Sequence, residues 1–187
     1  PPWLELDLIP LEHAFPEVRN RILGERTRPK SPYLALKIRL DDALLGLERI
    51  MRGLKMALER AGRKPDEFAV RALACYVDDF CKGCERLCAR VAIALDGGLP
   101  RGERWQRVLL EQMGEPGGRG RPPLFRASLL SELDEYRRFG HGIRHIYGHE
   151  LEVERVLSLG CGAESLMERV KTSVAAFSGW LEEQAES

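Results

Sequence analysis

No stretch of this sequence is long and apolar enough to cross a bilayer, and no charged-then-apolar signal segment opens it. A cytosolic protein without membrane attachment is the expectation. Net charge is also missing, because 29 Lys and Arg balance 29 Asp and Glu. That balance excludes a protein that coats nucleic acid through a broad basic surface, while leaving room for a local basic site. Histidine is scarce, with four residues. Cysteine occurs in an odd number, five, of which Cys75, Cys81, Cys84 and Cys88 fall on one predicted helix and Cys161 stands apart. A secreted disulfide scaffold does not look like this. What is present, 44% apolar and 31% charged residues in a chain of 187, suits one soluble domain with a substantial core.

Residues 1–30 read as a proline-rich arm, in which Trp3 to Ile9 alternates like an edge strand and His13 stands alone. Residues 31–187 read as one helical domain. Ser31-Pro32 joins a capping hydroxyl to proline at the first helical position. Leu34, Ile38, Leu45, Ile50, Leu54 and Leu58 then keep a near-helical period to about Ala61, where Gly62 stops it. Pro65-Asp66 opens a second helix that runs to about Leu95. Its apolar positions form a heptad: Val70, Leu73, Val77, Phe80, Cys84, Leu87, Val91 and Ala94. Two such helices joined by a short turn predict a long antiparallel hairpin. Pro100 to Met113 reads as a short helix. Gly114 to Pro123, with Arg119 and Arg121, is too rich in glycine and proline for regular structure and reads as a mobile connector. Another helix begins near Ser128 and ends at Gly148. The last, Leu151 to Glu183, carries an expected kink at Gly160-Cys161-Gly162. The fold class is therefore all-α, an antiparallel bundle of four to five helices.

The chemistry concentrates between Glu135 and His149. His141, His145 and His149 lie there among Arg137, Arg138 and Arg144. At about 100° per residue, Arg144, Arg137, His141, His145 and Arg138 share an arc of roughly 120°. Tyr136, Phe139, Ile143, Ile146 and Tyr147 fill a separate arc beside it. A helix written this way buries its aromatic stripe and holds out imidazoles and guanidiniums. The plain alternative is a solvated polar face, yet histidines three and four residues from arginines repel them when protonated. Imidazole titrates nearest neutrality, and guanidinium is the best bidentate phosphate partner. Metal-free RNA cleavage uses this pair: imidazole moves the proton and guanidinium steadies the charge building on phosphorus.

Cysteine offers a rival site. Cys81-Lys82-Gly83-Cys84 with Cys88 makes half of a zinc site, which His141 and His145 would complete on paper. Cys84, however, lies in the heptad seam and a regular helix sets Cys81, Cys84 and Cys88 along one ridge. Packing is the expectation, with no metal. Trp105 and Trp180 sit at helical spacing with leucines, as core or interface residues do.

The arrangement Arg-x4–6-His-x-Tyr late in a helical bundle resembles the signature of the HEPN superfamily and its HepT-like ribonuclease toxins. Here Arg138, six intervening residues and His145-Ile146-Tyr147 satisfy it. The ordered series Leu95 to Trp105, Leu109 to Met113, Arg121-Pro122 and Leu133 to Leu151 extends the likeness over about residues 33 to 183. The resemblance implies a dimeric endoribonuclease that needs no metal or cofactor, its RNA site formed where two protomers' motif helices meet. It further implies neutralisation by a cognate nucleotidyltransferase antitoxin. His145 would be the acid/base catalyst, Arg138 or Arg144 the charge stabiliser, and Tyr147 the acceptor of AMP. From the residues themselves, His141 and Arg137 are the expected RNA phosphate contacts.

One departure stands out. The pattern resembled has Phe-Arg-His-x-x-Arg-His-x-Tyr, and this chain has glycine at 140 where arginine is expected. Either Arg138 or Arg144 supplies the guanidinium, or the chain is a weakened or non-catalytic helical module that binds a nucleotidyltransferase partner or a nucleotide. A plain helical scaffold whose cysteine helix mediates dimerisation is the third reading.

Overall fold

The structure, a computed structural model, describes residues 31–62, 64–143 and 151–186. Among the described residues there are five α-helices: α1 (Pro32–Ala61), α2 (Glu67–Leu95), α3 (Trp105–Gln112), α4 (Ala127–Ile143) and α5 (Val153–Glu186). No strand occurs among the described residues, so the all-α bundle expected from the sequence is what forms. The expected arm and its edge strand, and the helix stop at Gly148, lie outside the described residues.

The helix starts are written locally. Ser31 Oγ accepts from the Tyr33 amide at 3.2 Å, ahead of proline in the first turn. Asp66 Oδ1 accepts from the Ala69 amide at 2.8 Å to open α2. Each such cap stabilises its helix by about 1 kcal/mol.

α2 touches all four other helices and is the axis of the bundle. It runs antiparallel to α1: Gly53 lies against Tyr76, Leu47 against Gly83, and Arg90 donates to the Arg39 carbonyl. The heptad from Val70 to Val91 is buried along its length, with Ala94 half-buried. α1 corrects the expected stripe. Leu36, Leu40, Leu47 and Leu54 are its buried leucines, whereas Ile38 and Leu45 are more than half exposed. α1 has apolar residues on several sides, and the side facing both α2 and α5 is the one that buries.

α5 packs back along α1, with Glu48 paired to Lys171 and the Tyr33 ring edge-on to Trp180 at 6.0 Å. The kink expected at Gly160 to Gly162 is absent: α5 passes through unbroken. Gly160 instead brings α5 close to α1, since a Cβ there would meet Leu58 at 3.3 Å.

The Gly114 to Pro123 segment gives a second correction. Apart from one 3-10 turn at Gly118–Gly120 it is irregular, as expected, but it is pinned. Arg121 is fully buried and forks onto Asp96, Nε to Oδ1 and Nη2 to Oδ2, each at 2.9 Å. The same guanidinium donates to the Gln112 and Pro122 carbonyls, and Asp96 also accepts from the Gly118 amide and the Gln112 side chain. The Leu124 and Phe125 amides then both donate to the Met113 carbonyl, which sets the entry to α4.

Candidate functional site

α4 carries the described part of the stretch singled out in the sequence, to Ile143, and its Tyr136 and Phe139 turn inward as the residue spacing requires, whereas Arg137, expected on the outer face, turns inward too. Leu129, Leu133, Tyr136, Phe139 and Gly140 are buried. Tyr136 anchors this side. Its ring lies edge-on to Phe80 with centroids 5.5 Å apart, and its hydroxyl donates to the Leu159 carbonyl at 2.6 Å. Burial holds that phenol well above its ordinary pKa, so it remains a donor.

The opposite face bears Arg138 and His141, both exposed. Asp134, one turn earlier, fixes two arginines. Arg137 Nε donates to its Oδ1 at 2.7 Å, and Arg138 Nε lies 3.2 Å from its Oδ2. The side chains differ in access: Arg138 is 62% exposed and Arg137 21%. Arg138 Nε also lies 3.4 Å from the Asp134 carbonyl oxygen. Arg137 faces inward and lines a small cavity with Cys81, Cys84, Cys88 and Leu133.

Position 140 lies on the buried side, in the seam with α2. A Cβ at Gly140 would stand 2.7 Å from Asp78 Oδ1 and 3.7 Å from Cys81 Sγ. Asp78 is 8% exposed and paired with Lys82, one turn further along α2. Reading the sequence did not find Asp78. The signal was a second stripe on α2, Ala74, Asp78, Cys81, Cys88, Ala92 and Leu95, all buried, in which a carboxylate is the odd member. Arg144, His145 and Tyr147 lie outside the described residues.

Cys81, Cys84 and Cys88 are buried in the core between α2, α3 and α4. Burial, reinforced by the neighbouring thiols, pushes Cys84 well up, and burial pushes Cys88 to about 12. These sulfurs are neutral and packed. Among the described residues, no three His, Cys, Asp or Glu side chains converge in a way that could hold a metal ion. No helix among them is long and apolar enough to cross a membrane.

The described residues form a bundle around one central helix, with Arg138 and His141 exposed on α4. The family model described as HepT-like protein matches residues 72–181, and the chain belongs to that family. The match takes in most of α2, all of α3 and α4, and most of α5. No curated protein matches the chain, and no solved structure does.

Proposed function

We propose that this protein is a metal-independent endoribonuclease, acting as the toxin of a toxin–antitoxin pair. The observation that carries the reading is the family match across the whole of 135–149, the stretch that holds Arg138, His145 and Tyr147. The exposed Arg138 and His141 on α4 support it. His145 takes the 2′-hydroxyl proton of RNA or returns one to the leaving 5′ oxygen. Attack of the 2′ oxygen on the adjacent phosphorus breaks the bond to that 5′ oxygen. The products are a 2′,3′-cyclic phosphate and a 5′-hydroxyl, and no metal takes part. Arg138 or Arg144 steadies the pentavalent phosphorus, where a guanidinium offers two parallel donors. His141 contacts a flanking phosphate. The site forms across a homodimer, and a cognate nucleotidyltransferase antitoxin silences it by placing AMP on Tyr147.

The buried Gly140 favours a second reading, a non-catalytic module that binds a nucleotidyltransferase or a nucleotide, because position 140 offers no guanidinium. End-group analysis separates the two. Single-stranded RNA incubated with purified protein in EDTA should yield 2′,3′-cyclic ends. RNA that stays intact with protein that binds a nucleotidyltransferase would establish the second reading.

A further inference from the structure

A shallow groove lies between the end of α4 and the start of α5. Arg138, Phe139, Gly142 and Ile143 form one wall, and Leu151, Glu152 and Arg155 the other. Its two sides differ in chemistry. Phe139, Ile143 and Leu151 give an apolar floor, while Arg138 and Arg155 stand exposed at the rim.

Arg155 is the cation that could take an anion. Glu152 is the acid of the groove lining, set against Arg138 and Arg155, and Asp134 already engages Arg138 from the side. Arg155 makes no ion pair among the described residues. An exposed cation beside an apolar floor suits a ligand that has a flat apolar part and an anionic part close together. A nucleotide of single-stranded RNA has both: a base to lie on the floor and a phosphate for the guanidinium. A duplex offers its stacked base faces to nothing, so it fits this groove poorly. Ile143 and Leu151, on opposite walls, are also the described residues that flank the segment carrying His145 and Tyr147.

We infer that this groove is a binding subsite for one nucleotide of single-stranded RNA beside the site of cleavage, with Arg155 holding its phosphate. The inference rests on the ribonuclease reading for its substrate. Its test is kept apart from catalysis.

His145→Ala protein, full length and in EDTA, would be titrated into a fluorescently labelled single-stranded RNA of mixed sequence at several salt concentrations. Adding Arg155→Ala should weaken binding about tenfold. It should also flatten the slope of log affinity against log salt by about 0.7, one single-strand phosphate contact. Arg155→Lys should keep most of the slope. Arg155 is exposed and makes no ion pair among the described residues, so the variant should melt with its parent. Equal affinity and slope for Arg155→Ala and its parent would overturn the subsite, as they would if the groove seats a protein instead. If that happened while wild-type protein still cut RNA, only the subsite would fall. RNA binding that depends on Arg155 in a protein that cuts nothing would remove the catalytic reading and keep the subsite.

Discussion

Arg121→Met would take the guanidinium from Asp96 and leave its carboxylate, whose side chain is 5% exposed, with the Gly118 amide and the Gln112 side chain as its donors among the described residues. Removing one partner of a buried pair costs about 3–5 kcal/mol, because the other charge is stranded. The two remaining donors place the expectation near the lower end, about 3 kcal/mol. For a domain of this length, each kcal/mol moves the melting temperature by about 2–4 °C. Arg121→Met should therefore melt about 6–12 °C below wild type, read by circular dichroism. Asp96→Leu combined with Arg121→Met should recover part of that loss, since replacing both ends of a buried pair by apolar groups is often near neutral. A single variant that melts within 1 °C of wild type would refute the claim that this clasp fixes the α2–α4 connection. So would a double variant as unstable as the two singles added together.

Native protein at neutral pH should react with a thiol reagent quickly at Cys75 and Cys161, and at Cys81, Cys84 and Cys88 only after denaturation; five equal rates would contradict the burial. Cys88 titrates near 9 when exposed and at about 12 when folded, so the unfolded chain sheds that proton first. The thiol's contribution to stability is full below about pH 9 and is lost as pH climbs towards about 12. Cys88→Val should flatten this part of the alkaline stability profile, and an unchanged slope would count against the assignment. Gly140→Leu should lose roughly 1–2 kcal/mol, as overpacking against Asp78 outweighs the gain in helix propensity. Gly140→Arg sets the same Cβ against Asp78 and should also lose stability; melting temperatures equal to wild type for both variants would argue against the Asp78 contact.

The parts of the fold that were legible are those decided by neighbours in the chain. Ser31-Pro32 and Asp66 announce helix starts, and the α2 heptad announces its buried face, because caps and periodicity act over a few residues. What was illegible depended on distant partners. Arg121 pairs with Asp96 across 25 positions, and a Gly/Pro-rich segment looks the same whether pinned or loose. Gly160 looked like a kink because close approach to α1 leaves no local mark. α1 has several apolar sides, so only the placement of α2 and α5 selects Leu36, Leu40, Leu47 and Leu54 over Ile38 and Leu45. In the site, the inward turn of Tyr136 and Phe139 followed from spacing. The meeting of Gly140 with Asp78 did not, because it joins two helices 62 positions apart. Nor did Arg155, which looks like an ordinary surface cation until its groove is seen.

The central claim concerns one imidazole. Wild-type and His145→Ala protein, purified identically and shown to melt alike, would be incubated with single-stranded RNA in EDTA, and cleavage rates compared. Losing a positioned acid/base group should slow cleavage by about 10²–10⁴-fold, with wild-type products ending in 2′,3′-cyclic phosphate. Equal rates for the two proteins would contradict catalysis by this site.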